Sequence, residues 1–175
     1  FDWGVTLLDT YVDAYAGIWG SNVSGGTNSL SGNELDYYAG ISGAIPGLED
    51  FLSYDGGILY YDYPGMTDQN TADGARNADF VEYYGSIGAT VPTGITDVGI
   101  SYYYGYSPAG FQQGNYDYQN IGIEFGVPST PFTLSGSAGF TGADDEGGNQ
   151  YTDYMASIST SAFGLDWGLS YTTVE

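Results

Sequence analysis

The feature that most constrains this chain is an alternation of side-chain polarity with period two, repeated from end to end. Between Val12 and Ser21, the residues Asp13, Tyr15, Gly17, Trp19 and Ser21 fall on one face. Val12, Ala14, Ala16 and Ile18 fall on the other. Glu34, Asp36, Tyr38, Gly40 and Ser42 oppose Leu35, Tyr37, Ala39 and Ile41 in the same way. Asp153, Ser157 and Ser159 oppose Tyr154, Ala156 and Ile158. Asp166, Gly168, Ser170 and Thr172 oppose Leu165, Trp167, Leu169 and Tyr171. Successive side chains of a strand point to opposite faces, whereas a helix brings together residues three and four apart. Each segment therefore reads as a strand with one small, polar, acidic face and one apolar, aromatic face.

About ten such strands are expected, near 1–7, 11–19, 34–43, 51–63, 79–90, 95–106, 115–126, 131–142, 150–161 and 164–174. The 29 Gly and 19 Tyr agree with this. Glycine costs about 1 kcal/mol per helical position relative to alanine, and tyrosine favours strands. No helical segment intervenes, so consecutive strands pair antiparallel as a meander. No apolar run approaches the ~20 residues of a membrane-spanning helix, but a spanning strand needs only ~9–11 residues. The expected fold is all-β: an antiparallel, up-and-down transmembrane β-barrel occupying 1–175 as one outer-membrane domain.

The connections carry a second signal. Residues 20–33, 64–78 and 142–150 read as the longer loops, and 107–113 as a medium one. Residues 44–50, Val91-Pro92-Thr93-Gly94, Val127-Pro128-Ser129-Thr130 and Ala162-Phe163 are shorter. Outer-membrane barrels place short turns on the periplasmic side and longer loops outside. Phe1 and Glu175 then fall on the long-loop side. Because such barrels usually start and end on the other side, a strand is expected before Phe1 and another after Glu175, about twelve in all. Closure is expected from further sequence, from a neighbour, or from pairing of 1–7 with 164–174.

Charge narrows the function. The chain has 22 acidic residues and one basic residue, Arg76, for a net charge of -21. Nothing here could neutralise phosphates, so nucleic acid is excluded as a partner. Cys and His are absent, which removes disulfides, thiol catalysis and the usual zinc ligands. No nucleophile elbow and no Ser-His or Cys-His arrangement can be built, and no enzyme activity is expected. No cofactor is expected. The loop carrying Asp144-Asp145-Glu146 lacks EF-hand spacing, so it reads as a solvated acidic loop with at most weakly bound Ca²⁺. The match of Asn22-Val23-Ser24 to a glycosylation sequon is a chance match.

Phe1-Asp2-Trp3, the run from Tyr15 to Val23, Glu34 to Gly40, Tyr60 to Gly65, and Gly164 to Thr172 together resemble the TorF family of porin-like proteins. The first forty residues carry the most specific part. The resemblance implies a Gram-negative outer-membrane barrel of about a dozen strands and an expectation of pore activity, with no solute. The near absence of Lys and Arg departs from the family.

The expected function is porin-like passage of small hydrophilic, preferentially cationic solutes across the bacterial outer membrane. The lumen-facing acids are Asp13, Glu34, Asp36, Asp55, Glu82, Asp97, Glu124, Asp153 and Asp166, with Asp2 in the same phase. A wall of carboxylates attracts cations and repels anions. Leu35, Ile41, Ile58, Val98, Ile100, Ile123, Leu165 and Leu169 are expected on the lipid side. Tyr60, Tyr61, Tyr63, Tyr102, Tyr103, Tyr104 and Trp167 are expected in an aromatic girdle at the interface. The expected partners are outer-membrane lipid, small solutes and, where it assembles further, copies of the chain or a larger membrane assembly. One alternative is a structural or surface-assembly barrel without an open pore, its acids hydrogen-bonded to Tyr and Ser. Another is a soluble acidic β-sandwich or binding protein.

Overall fold

A computed structural model describes residues 1–9, 11–24, 31–64, 79–110, 114–143 and 150–175. Arg76 and the Asp144-Asp145-Glu146 loop lie outside the described residues. Ten strands form in chain order. They are β1 (Asp2–Leu8), β2 (Val12–Ser24), β3 (Ser31–Ala44), β4 (Leu52–Asp62) and β5 (Phe80–Pro92). β6 (Asp97–Gly110), β7 (Gly114–Gly126), β8 (Phe132–Ala143), β9 (Tyr151–Ala162) and β10 (Leu165–Val174) complete the set. The described residues contain no helix.

All ten strands join one sheet in the order of the chain, each antiparallel to its neighbours. β1 and β10 are its two edges, and no pairing joins them. The closed barrel expected from sequence is therefore observed only as an open up-and-down sheet, without direct pairing of 1–7 with 164–174.

Register aligns the polarity of the strands. Tyr15 pairs with Gly40, Gly40 with Gly57, Gly57 with Tyr84, Tyr84 with Gly105 and Gly105 with Tyr118. On the other face Ala39 pairs with Ile58, Ile58 with Tyr83 and Tyr83 with Tyr106. A one-residue slip would exchange the two faces. The polar face curls inward: one cavity is lined both by Tyr61 of β4 and by Val174 of β10. On a flat sheet those strands would stand nearly 30 Å apart, at about 4.8 Å per step.

The apolar face is left uncovered. Ile41, Ile58, Ile87, Ile121 and Leu169 are 47, 42, 45, 52 and 74% exposed. Phe80, on the concave face, is the one buried hydrophobic residue among the described residues. No second layer of described residues packs against the sheet, as a soluble sandwich would require.

The strands are longer than expected at one end. Asn22, Val23 and Ser24 pair with Asn33, Gly32 and Ser31, inside the segment read as a loop. The backbone ladder extends through Gly, Ser and Asn because pairing uses main-chain groups, which every non-proline residue supplies. β6 and β7 lengthen similarly, leaving only 111–113 between them. The contrast in connection length is consequently weaker than the sequence suggested, and 63–79 is the one long connection. Both Phe1 and Glu175 lie at the end opposite the tight turns, as the topology requires.

The tight-turn end concentrates the left-handed backbone. Asp9, Gly47, Gly94, Ser129, Phe163 and Gly164 all have positive φ there. Phe163 and Gly164, at φ 59° and 74°, form the two-residue link between β9 and β10. A two-residue hairpin of this kind matches the twist of its strands but requires positive φ at both positions, and Asn-Gly is its favoured pair. Phe163 is 99% exposed, so its ring gains no packing in return for the strained backbone. Phe163→Asn is expected to raise stability by about 1 kcal/mol, measured as a higher urea midpoint for the folded protein in detergent.

Candidate functional site

Every acid predicted on the polar face lies there. Asp13, Glu34, Asp36, Asp55, Glu82, Asp97, Glu124, Asp153 and Asp166 share one face through the continuous register, and Asp2 joins them. Leu35, Ile41, Ile58, Val98, Ile100, Ile123, Leu165 and Leu169 share the other. Asp62 and Asp117 are also on the apolar face. They pair with Leu35 and Tyr106 near the ends of their strands, away from the tight turns.

The aromatic residues divide. Tyr60, Tyr102, Tyr104 and Trp167 stand on the apolar face, where Tyr102 donates to Gln119 at 3.0 Å. Tyr61 does not accompany them. It pairs with Asp36 on the concave face and stacks on Phe80 at 4.3 Å. Tyr63, just past β4, stacks on the same ring at 6.5 Å. The sequence reading grouped these residues by their place near strand ends. The phase of alternation separates them, because Tyr61 shares the parity of Asp55 and Tyr60 does not.

Four acids on the concave face, Asp2, Asp55, Glu82 and Asp153, accept hydrogen bonds from tyrosines one or two strands away. Tyr15 donates to Asp55 at 2.8 Å, and its hydroxyl lies 2.5 Å from that of Tyr84. Tyr103 donates to Oε1 of Glu82 at 2.6 Å and Tyr116 to Oε2 at 3.0 Å. Tyr118 donates to Asp153 at 3.0 Å, while Asn120 donates to the Tyr118 hydroxyl at 3.1 Å. Tyr38 donates to Asp2. A tyrosine lying sideways over the sheet needs space on the next strand, and glycine supplies it. A Cβ at Gly40 would overlap the Tyr15 hydroxyl, and one at Gly57 would come within 2.6 Å of that of Tyr84.

Cavities open on this face among the described residues. One, of about 690 Å³, lies toward the end away from the tight turns, lined by Tyr61, Glu82, Tyr103, Tyr116, Tyr118, Asn120, Tyr151, Asp153 and Val174. Another, of about 500 Å³, lies in the tight-turn half, where Ser53, Gly99, Ser101, Glu124, Ser135 and Ser137 contribute to its wall. The first is aromatic with acids; the second mixes small polar residues with Ile100, Ile123 and Met155. No group of described His, Cys, Asp and Glu residues is arranged to hold a metal ion. Sequence reasoning had not singled out Tyr116, Tyr118 or Tyr151, and had placed Tyr103 with the girdle tyrosines. All four lie in phase with the acids of their own strands or of the strands paired with them.

The Tyr15–Asp55–Tyr84 group yields a graded expectation. Tyr15→Phe removes a bond to a carboxylate, a class that contributes ~1.5–3 kcal/mol, together with the link to Tyr84. Tyr84→Phe leaves the Tyr15–Asp55 bond in place and should cost about 1 kcal/mol. Urea unfolding of the two variants should place Tyr15→Phe lower; the reverse order would contradict the donor assignment.

No curated protein and no solved structure matches the chain. A family model matches residues 9–175, with the description "Bacterial protein of unknown function (Gcw_chp)". That description names neither TorF nor a porin, so the narrower family suggested by the local resemblance is not what the match supports. Its span takes in all of β2 to β10, and the chain belongs to the Gcw_chp family, bacterial proteins of unknown function.

Proposed function

We propose that the chain is a porin-like barrel of the bacterial outer membrane, passing small hydrophilic solutes, cations in preference, through an acidic lumen. The observation that carries this is the division of the sheet: an uncovered apolar face outside and a carboxylate-bearing face curled inside. An uncovered apolar face this wide is uncommon on a soluble monomer and suits contact with lipid. The local resemblance to TorF porin-like proteins supports the same reading. In lipid the free edges of β1 and β10 need partners, since unpaired backbone groups are too costly there. With ten strands up and down, the two edges run antiparallel, so pairing of one with the other is geometrically allowed.

A specific observation also favours a second reading. The tyrosine–carboxylate groups span β1 to β9 across the concave face. Side chains fill the interior of many small barrels. On this reading the chain is a structural or surface-assembly barrel without an open passage.

Reversal potential across a planar bilayer under a KCl gradient separates the two. The first reading expects cation preference. Glu124→Gln with Asp97→Asn should weaken it, because both acids stand on the concave face at the tight-turn half and both changes preserve volume. High salt should weaken it too, with the screening length falling from ~8 Å at physiological ionic strength to ~3 Å at 1 M. Acidic pH should do the same, by protonating carboxylates. Anion preference, or cation preference indifferent to all three changes, would reject the carboxylate-lined passage. Absence of conductance in inserted protein would establish the filled barrel as the better account.

A further inference from the structure

The larger cavity has a chemistry of its own. Five tyrosine rings and two carboxylates, Glu82 and Asp153, contribute to its wall, and no basic side chain does among the described residues. Glu82 is only 6% exposed, and both of its oxygens accept from tyrosine. Asp36, paired with Tyr61, has a buried Oδ1 with no hydrogen-bond partner among the described residues.

We propose that this cavity is a binding site for an organic ammonium ion, its alkyl body against the tyrosine rings and its charge beside Glu82 and Asp153. Three arguments converge. A cation over an aromatic face is attracted by the ring quadrupole, and aromatic cages are a recurrent solution for alkylated ammonium groups. A tyrosine that donates to a carboxylate takes on some phenolate character, so the faces of Tyr103, Tyr116 and Tyr118 become more negative. The volume falls in the ordinary range for small-molecule sites, about 300–1,000 Å³.

Two other occupants fit less well. A sugar would have to compete for the carboxylate oxygens, since both oxygens of Glu82 already accept from Tyr103 and Tyr116 and Asp153 accepts from Tyr118. A small inorganic cation prefers several oxygen ligands or its own water, and aromatic rings replace neither. The inference rests on the reading of the concave face as facing solute, but it does not require an open passage.

The test is titration of tetraethylammonium chloride into the detergent-solubilised full chain at constant ionic strength, followed by calorimetry and tyrosine fluorescence. Saturable binding is expected, undiminished by equimolar KCl or glucose. Tyr151→Leu removes a ring from the wall and should weaken binding about two- to fivefold. Asp153→Asn should weaken it about tenfold, equivalent to about 1.4 kcal/mol. Circular dichroism identifies a variant that has not folded; the comparison of solutes on the unaltered chain then decides alone. Absence of saturation, equal displacement by KCl, or binding of glucose in place of the ammonium ion would each overturn the proposal. Conductance without saturable binding would reject this site and leave the passage. Binding without conductance would reject the passage and leave the site.

Discussion

Cohesion in this protein comes from the hydrogen bonds between neighbouring strands. In most proteins of this size a buried apolar core does most of that work, yet here one hydrophobic residue, Phe80, is buried among the described residues. What fixes each strand is the ladder of amides and carbonyls it shares with the next. The ladder is indifferent to side-chain type, which is why it runs on through Asn22, Ser24, Ser31 and Asn33. Side chains act through register. They decide which face is in, and the penalty for slipping by one residue is an inversion of every strand's polarity.

Much of this organisation was legible in the sequence. Ten strands, their order and their antiparallel pairing follow from period-two alternation uninterrupted by any helical pattern. The face occupied by each acid follows from the same period. Strand ends were less legible, because the polar segments flanking Ser24 and Ser31 look like loop and pair like strand. The aromatic residues were misgrouped where proximity to a loop was weighed above parity: Tyr61 belongs with Asp36, not with Tyr60.

The tyrosine–carboxylate contacts lay beyond local inspection for a different reason. Tyr15 and Tyr84 are on strands three apart in the sheet, and their hydroxyls meet only because the sheet curls and Gly40 and Gly57 leave room between them. Curvature is a property of all ten strands together, and no single segment encodes it. Counter-charge was legible, by contrast. With Arg76 the only basic side chain, tyrosine hydroxyls supply partners to Asp2, Asp55, Glu82 and Asp153 on that face. The abundance of tyrosine and of glycine are thus two aspects of one arrangement, donors for the acids and space for the donors.

The meander order has a consequence for how such a chain can change over evolutionary time. Every strand pairs only with its neighbours in the chain, so in its main-chain pairing each hairpin is nearly self-contained. Duplicating or deleting one hairpin would leave the register of all the others untouched and would keep the strand number even. The circumference of the sheet could therefore grow or shrink in steps of two strands. A lineage built on this plan could alter the width of what it encloses while keeping the main-chain pairing within each retained hairpin.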